Sequence, residues 1–353
     1  MGRWLSRWGS TLFRKYSEDE LKQDVLRYLE GTGCLHLVTR QWFDETMHRC
    51  VGKYGIRPKE FPGIRTPMQA VESDAFMDFL FGYMWSHSRQ LFKEMKKRPT
   101  LDTELEPNDF VNIRRYFTFN TPRKVAQFPS KAVRTVIGRL LPDHDAFGEP
   151  LNFHDMSCGF GMREACALLY NCSYFGTDPN RELQSGLLEM GAFLKKHFPY
   201  VAKGGIDVRC QGSEVFIPEW EGIMDISMSS PPYFNIETYS DDGYASSRNL
   251  KDYAKWLSEY SAPTIRNCIR YLKPFGWLCI NIKNTVNRPL YDDYVKIIKS
   301  EGMEMHEPIS LKQDYEKGHL IKEYLDKGIE RRINELESVH EKIIVARKPA
   351  GRL

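Results

Sequence analysis

The stretch DMSCGFGMREACALL, residues 155–169, joins a predicted strand to a predicted helix through a glycine loop. The strand is the run LNFHD, which ends at Asp155, and the helical pattern begins after Gly161. Gly159 and Gly161 let the backbone approach a ligand closely, because glycine has no Cβ. The apolar residues that follow share one helical face. This unit predicts an α/β fold with a ligand site at the carboxyl end of the strand.

Short β-rich runs alternate with helical stretches after residue 150, which predicts crossover connections and a mostly parallel, Rossmann-like sheet covered on both faces. The strand candidates are LNFHDM, CSYFGTD, IDVRCQG, IMDISM and GWLCINIK. A final run, EKIIVARK, reads as one more strand, paired with something near EMHEPISL. The expected fold class is therefore α/β.

The sequence before residue 118 has a different texture, with apolar residues at helical spacing from 17 to about 98. A polar, proline-containing connector, KKRPTLDTELEPND, follows this pattern. We predict a helical N-terminal region over residues 1–118 and a second domain over residues 119–353. A run of good helix formers with balanced charge predicts a helical insertion around 311–340.

The composition narrows the classes of function. The chain has 353 residues, of which 41% are hydrophobic and 27% charged, with a net charge of +3, a balance that is ordinary for a soluble globular protein. Such a mild positive charge neither requires nor excludes a polyanionic partner. The eight cysteines form no CxxC pair and no zinc-like cluster with histidine, so we expect reduced thiols and no metal site. With no signal peptide and no apolar run long enough to span a bilayer, we expect a cytoplasmic protein.

The glycine loop favours one class of cofactor over another. A third glycine would complete the dinucleotide fingerprint, but Glu164 stands at that position, where a pyrophosphate would meet the helix. Asp178 ends the next predicted strand, where an acid can accept hydrogen bonds from both hydroxyls of a ribose. The pattern favours a ribose-bearing cofactor without a pyrophosphate. A plain tight turn, with Asp178 as an Asp-Pro turn signal, is the alternative.

A second loop follows the predicted strand MDISM, which runs into two serines and two prolines. Prolines stop a strand because they have no N–H to donate. The tetrapeptide at residues 230–233 matches, residue for residue, the fourth motif of the S-adenosylmethionine-dependent DNA amino-methyltransferases, a family that the chain resembles. The residues of this motif, which the resemblance implies to be catalytic, are Ser230, Pro231, Pro232 and Tyr233.

Three further segments carry the resemblance, which covers about residues 120–290 and implies a class I methyltransferase fold. The pattern D-x-x-x-G-x-G at residues 155–161 matches the family's cofactor loop, and QFPSKAVRTVIGRLL is similar to the segment that precedes this loop. The run YLKPFGWLCINI resembles the helix, turn and strand that follow the fourth motif. The cofactor-binding residues that the resemblance implies are Phe128, Pro129, Ser130, Asp155, Cys158, Gly159, Gly161, Asp178 and Ser213.

The chemistry implied by the resemblance explains the prolines. An exocyclic amino nitrogen on a base is a poor nucleophile, because its lone pair is delocalised into the ring. Ser230 Oγ and the carbonyl of Pro231 would accept the two amino protons and draw the lone pair towards the methyl sulfonium. The step needs positioning and electrostatics rather than an enzyme nucleophile. Tyr233, with Phe234, would stack on a base turned out of its helix.

Departures from the family pattern leave some roles open. The third strand usually ends in an acid that contacts the adenine, whereas this chain has Ser213 followed by Glu214. Cys158 and Phe160 occupy loop positions where many relatives have other residues, and Cys158 fits a small packing residue better than a reactive thiol.

The resemblance implies DNA as the substrate, with N4 of cytosine favoured over N6 of adenine because the motif begins with serine. The N-terminal helical region or the insertion would recognise DNA, or the N-terminal region would only support the catalytic domain. RNA, protein glutamine and a non-catalytic DNA-binding or partner subunit are the alternatives. Homo-oligomers and a companion endonuclease of a restriction-modification system stay open.

Overall fold

The computed structural model describes residues 15–49, 61, 67–87, 127–145, 147–234, 252–285, 288–311 and 341–350. The predicted insertion therefore lies outside the described residues, except for the last residue of a strand at Leu311. The loop that follows the Ser-Pro-Pro-Tyr motif, residues 235–250, also lies outside them. None of the helices in these ranges has the length and apolar character needed to cross a bilayer.

A seven-stranded sheet forms the centre of the molecule, with strand order β3-β2-β1-β4-β5-β7-β6. The pairs from β3 through β5 are parallel, and β7 runs antiparallel to both β5 and β6. This confirms the predicted α/β class and the class I methyltransferase fold, and it confirms the pairing of EKIIVARK with EMHEPISL. The strands are β1 (Leu151–Asp155), β2 (Cys172–Thr177), β3 (Ile206–Arg209), β4 (Met224–Ser229), β5 (Leu272–Ile282), β6 (Glu304–Leu311) and β7 (Glu341–Arg347).

Helices cover both faces of the sheet, as crossover connections between parallel strands require. In the described part of the N-terminal region the helices are α1 (Glu18–Leu29), α2 (Leu37–Arg49), α3 (Pro67–Glu72) and α4 (Asp74–His87). The others are α5 (Ser130–Leu140), α6 (Met162–Leu169), α7 (Arg181–His197), α8 (Ala262–Tyr271) and α9 (Leu290–Ser300). A short α-helical turn, Tyr253–Lys255, and a π-helical turn, Trp256–Ser261, lead into α8.

The side chains of the sheet pack into two separate hydrophobic cores, one on each face. Along β7, Ile343 and Val345 lie in one core, whereas Ile344 and Ala346 lie in the other. This alternation follows from the two-residue period of a strand, and both faces are apolar because both are covered. The first core contains α5, α6 and α7, and the second contains α8 and α9.

The first two helices of the N-terminal region belong to the first core. Tyr28 of α1 and Phe43 of α2 are almost fully buried there. The carboxylate of Asp24 in α1 accepts hydrogen bonds from the backbone N–H groups of His36 (2.8 Å) and Leu37 (2.6 Å), which satisfies donors at the start of α2. Residues 15–49 therefore support the sheet domain and are joined to it by a common core.

Candidate functional site: two loops at the carboxyl edge of the sheet

The loops after β1, β2 and β4 meet at one edge of the sheet, because these three strands are parallel neighbours. Ligands of open α/β sheets bind beyond this edge. We refer to residues 156–161 as the glycine loop and to residues 230–234 as the acceptor loop.

The two glycines of the glycine loop serve different purposes. Both have positive φ, 53° at Gly159 and 68° at Gly161, a conformation that glycine adopts without steric cost. A Cβ on Gly161 would lie 2.5 Å from Met190 Cε and 3.0 Å from Phe43 Cε2, so this glycine allows close packing against α7 and α2. Among the described residues other than its two chain neighbours, only the carbonyl of Ser157, at 3.8 Å, would lie within 4 Å of a Cβ on Gly159. Gly159 therefore leaves space on the side of the loop where a ligand would lie.

Asp155 is fully buried and has four hydrogen-bond donors around it. Its Oδ2 accepts from Arg163 Nε (2.7 Å) and from the hydroxyl of Tyr174 (2.8 Å). Its Oδ1 accepts from Ser229 Oγ (2.7 Å) and from the backbone N–H of Ser157 (3.1 Å). No surface is left on this carboxylate for a cofactor atom. The structure therefore gives Asp155 a positioning role in place of the predicted direct contact.

Asp178, directly after β2, is half-buried and faces the glycine loop. Its Oδ2 accepts from the backbone N–H of Gly159 (2.9 Å), and its Oδ1 accepts from that of Asn180 (3.0 Å). Burial raises the pKa of this carboxyl to about 6, although the two backbone hydrogen bonds oppose the shift. Each oxygen has one of these acceptor bonds, and a carboxylate oxygen has room for another. Asp178 therefore has the position and the acceptor capacity predicted for a ribose contact.

The segment before α5 contacts α6, which directly follows the glycine loop, through Phe128. The guanidinium carbon of Arg163, which also binds Asp155, lies 5.0 Å from the centre of the Phe128 ring. Pro129 is exposed at the N-terminal end of α5. Ser130 is different: it is buried, and its Oγ accepts from the backbone N–H of Leu35 (3.1 Å). Ser130 thus joins α5 to the N-terminal helices, and the predicted cofactor contact through its hydroxyl is replaced by this bond.

Two other predicted cofactor residues have packing roles. Cys158 is buried, and its sulfur fills the space that a side chain at Gly176 would need. Burial raises the pKa of this thiol well above its usual value, so it is not a reactive thiolate. The hydroxyl of Ser213 lies 3.1 Å from Thr264 Oγ1, which ties the loop after β3 to α8. Glu214, the next residue, is half-buried and its carboxylate folds over Gly212.

The acceptor loop begins at the end of β4. Ser230 Oγ accepts from Asn281 Nδ2 of β5 at 3.4 Å, which is a long hydrogen bond. Pro231 is buried, and Pro232 is half-buried. Tyr233 is half-buried and packs against the second core. The structure thus places the four predicted catalytic residues beside the glycine loop, at the same edge of the sheet.

An aromatic cluster adjoins the acceptor loop and was not predicted as a unit. Phe234 lies 5.3 Å from Tyr253, edge to face, and Tyr253 stacks on Trp256 at 5.9 Å between ring centres. The exposed Arg288 places its guanidinium carbon 5.0 Å from the centre of the Tyr253 ring and 5.9 Å from that of Phe234. Cation–π contacts of this kind hold a long side chain in place. The tyrosine hydroxyl donates to Asp293 Oδ2 of α9 at 2.8 Å.

Four polar residues that connect the loops were also missed by sequence reasoning. Ser157 lies inside the glycine loop, Ser229 directly precedes the acceptor loop, Arg163 lies in α6 and Asn281 in β5. The doubled serine before the prolines was a visible signal for Ser229. The contacts of the other three depend on which strands are neighbours.

No protein-family model matches the chain, and neither does any curated protein. Similar solved structures include the magnesium protoporphyrin IX methyltransferase ChlM of Synechocystis PCC 6803 with bound SAM, which is 11% identical over 78% of this chain and 97% of that chain, with a TM-score of 0.37. The N-methyltransferase NodS of Bradyrhizobium japonicum WM9 is 11% identical over 61% of this chain and 87% of that chain, with a TM-score of 0.37. The cyclase SpnF is 14% identical over 63% and 81% of the two chains, with a TM-score of 0.39. Likeness at this level carries no argument about activity, so the functional argument rests on the site itself.

Proposed function

We propose that this protein transfers the methyl group of S-adenosylmethionine to the exocyclic amino group of a base in DNA. The observation that carries the proposal is the junction of the two loops: Ser157 Oγ of the glycine loop donates to the carbonyl of Ser230 in the acceptor loop at 3.0 Å. A cofactor on the first loop and an amino group on the second would therefore be neighbours.

The residues of the glycine loop fit a nucleoside cofactor. Gly159 has a positive φ, and in the described part of the chain, apart from its two neighbours, only the Ser157 carbonyl lies within 4 Å of where its side chain would be. Asp178 offers acceptor capacity next to it. Asp178 would bind the ribose hydroxyls, and Gly159 would let the backbone approach the ligand. Phe128 and Pro129 would lie at the methionine end, as the family resemblance implies. When bound, S-adenosylmethionine supplies an electrophilic methyl group on a sulfonium.

The acceptor loop would bind and orient the amino group. Ser230 Oγ and the Pro231 carbonyl each take one amino proton as a hydrogen bond, which concentrates the lone pair on nitrogen and fixes its direction. Asn281 uses one acceptor site of the serine oxygen, and the other remains for the substrate. Pro231 and Pro232 hold the backbone rigid, so that little reorganisation is needed when the substrate binds.

Three features support a nucleic-acid substrate. Tyr233 and Phe234 follow the acceptor pair directly, and aromatic side chains stack on bases that have left their helix. Arg288 is held over Phe234 and Tyr253 on the same side, and a guanidinium matches the geometry of a phosphate. The S-P-P-Y form of the motif favours DNA over RNA or protein glutamine, and N4 of cytosine over N6 of adenine.

The test is transfer of labelled methyl from S-adenosylmethionine to unmodified DNA, with RNA and bulk protein as parallel acceptors, followed by mass analysis of the nucleosides. We expect N4-methylcytosine or N6-methyladenine in DNA. Label that appears only in RNA or in protein would overturn the DNA assignment. Tight cofactor binding without any transfer would overturn the enzyme assignment in favour of a non-catalytic DNA-binding or partner subunit.

A further inference from the structure

We propose that Ser157 is a positioning residue that aligns the Ser230–Pro231 peptide for methyl transfer, an inference that rests on the proposed function. Ser157 belongs to the glycine loop, yet its side chain contacts the acceptor loop. Its Oγ donates to the Ser230 carbonyl at 3.0 Å and lies 2.8 Å from Ser229 Oγ. The residue is the point where the two loops are joined.

The backbone of Ser157 is fixed on both sides of its side chain. Its N–H donates to Asp155 Oδ1 at 3.1 Å, and its carbonyl accepts a hydrogen bond from the guanidinium of Arg163. Arg163 also donates to Asp155, and both side chains are almost fully buried. A residue held by these contacts has little freedom to move, so its hydroxyl is a fixed donor.

The direction of that donor follows from the chemistry of its neighbours. A carboxylate such as that of Asp155 accepts hydrogen bonds and cannot donate them. The hydroxyl of Ser229 therefore donates its proton to Asp155 Oδ1, at 2.7 Å. Ser229 Oγ is then an acceptor towards Ser157. The Ser157 proton therefore faces two acceptors, Ser229 Oγ and the Ser230 carbonyl. Ser157 therefore links the buried carboxylate to the peptide that carries the proposed acceptor atoms, because its N–H donates to Asp155 and its hydroxyl donates to the Ser230 carbonyl.

Holding this carbonyl matters because Ser230 C=O and Pro231 N share one planar peptide group. A rotation of that plane would move Ser230 Oγ relative to the Pro231 carbonyl, which are the two proposed acceptors of the amino protons. Misplacement of reacting groups by about 1 Å is enough to cost on the order of 100-fold in rate. Loss of the Ser157 hydroxyl should therefore slow the chemical step more than it weakens the binding of the cofactor.

The kinetic test compares Ser157→Ala and Ser157→Thr with the wild type. We expect Ser157→Ala to lower kcat by about 10-fold or more, with the Kd for S-adenosylmethionine within about twofold, and Ser157→Thr to restore most of kcat because it keeps a hydroxyl. The matched control is Ser173→Ala, which removes a serine hydroxyl that accepts from the Gly205 N–H (3.0 Å) in the first half of β2. This control should keep the wild-type kcat.

A spectroscopic test reports on the hydrogen bond without turnover. Ser230–Pro231 is the only Ser-Pro dipeptide in the chain, so labelling serine carbonyls with carbon-13 and proline with nitrogen-15 gives a single cross-peak in a carbonyl–nitrogen spectrum. Loss of a donor to a carbonyl moves its carbon signal upfield. We expect this shift in Ser157→Ala and none in Ser173→Ala.

The outcomes separate the inference from the proposed function. A wild-type kcat in folded Ser157→Ala, an unmoved cross-peak, or a parallel loss of kcat and cofactor affinity would overturn the positioning role. A wild-type protein that transfers no methyl group to DNA, RNA or protein would overturn the proposed function, and the cross-peak alone would then decide whether Ser157 holds the carbonyl.

Discussion

Asp155 at the end of β1 and Asp178 after β2 are both acids at the carboxyl edge of the sheet, but their surroundings differ. Asp155 is fully buried and accepts hydrogen bonds from four donors. These donors lie in the loop after β1, in β2, in β4 and in α6. Asp178 is half-buried, binds two backbone N–H groups and has its pKa raised to about 6. The same residue type at neighbouring strand ends is thus enclosed by donors in one case and keeps room for further hydrogen bonds in the other.

Replacement of Asp155 is expected to have the largest effect. Asp155→Ala removes the partner of Arg163, whose side chain is only 7% exposed, and a buried charge left unpaired costs about 3–5 kcal/mol of unfolding free energy. Denaturant unfolding followed by circular dichroism measures this loss. The control is Glu301→Gln at the more exposed Arg266–Glu301 pair, where we expect a change within about 1 kcal/mol. Equal costs at the two pairs would contradict the positioning role of Asp155.

Replacement of Asp178 should affect binding more than folding. Asp178→Asn keeps a carbonyl that can accept from the Gly159 N–H, but it loses the charge. Hydrogen bonds to charged groups contribute about 1.5–3 kcal/mol, so we expect the Kd for S-adenosylmethionine to rise by about 10-fold to 100-fold, with the unfolding midpoint nearly unchanged. Isothermal titration calorimetry measures the affinity. Unchanged affinity would remove Asp178 from the cofactor site.

The raised pKa of Asp178 also predicts how cofactor binding depends on pH. In the proposed function the ionised carboxylate would accept hydrogen bonds from the ribose hydroxyls, and burial raises its pKa to about 6. Affinity should therefore be constant above about pH 7 and fall towards pH 5, by at most about tenfold per pH unit. Asp178→Asn should bind with a flat profile over the same range. A wild-type profile as flat as that of the variant would show that Asp178 does not titrate in contact with the cofactor.

A third acid, Glu164 of α6, sharpens the comparison because it is fully buried and neither of its oxygens has a hydrogen-bond partner among the residues that the structure describes. Burial raises its pKa well above the usual value. The unfolded chain loses this proton near pH 4.3 and the folded chain at a higher pH, so the wild type loses stability as pH rises through that window, by at most about 1.4 kcal/mol per pH unit.

Glu164→Gln has no such proton to lose. The unfolding free energy of the variant should therefore rise relative to that of the wild type as the pH increases above about 5, because ionisation of this carboxyl stabilises only the unfolded wild-type chain. Denaturant midpoints of the two proteins across this pH range measure the difference. A constant difference would mean that Glu164 has the same pKa in both states.

The sequence predicted the sheet more fully than the site. The strands could be predicted from β-rich runs separated by helical patterns, because parallel strands that are buried on both faces are apolar. The contact between Ser157 and the Ser230 carbonyl needed the adjacency of β1 and β4, in which Phe153 pairs with Ile226. Local spacing does not contain that register.

Ser130 shows a second limit of sequence reasoning. Its motif resembles a cofactor segment, but its hydroxyl binds the N–H of Leu35, 95 residues earlier in the chain. Only the packing of α1 and α2 into the first core reveals this partner. The turns at Gly159 and Gly161 and the position of Asp178 could be predicted, because they follow from backbone freedom and from the position of a strand end. The packing of Gly161 against Met190 and Phe43 could not, because it depends on where α7 and α2 lie.

The most direct test of the proposed function is the single-turnover rate of methyl transfer to DNA by Ser230→Ala, measured beside the wild type with cofactor saturating. The variant loses one of the two proposed acceptors of the amino protons and keeps Gly159 and Asp178. We predict that transfer is abolished while the Kd for S-adenosylmethionine stays within about twofold. A wild-type rate in Ser230→Ala would contradict the acceptor role of this side chain.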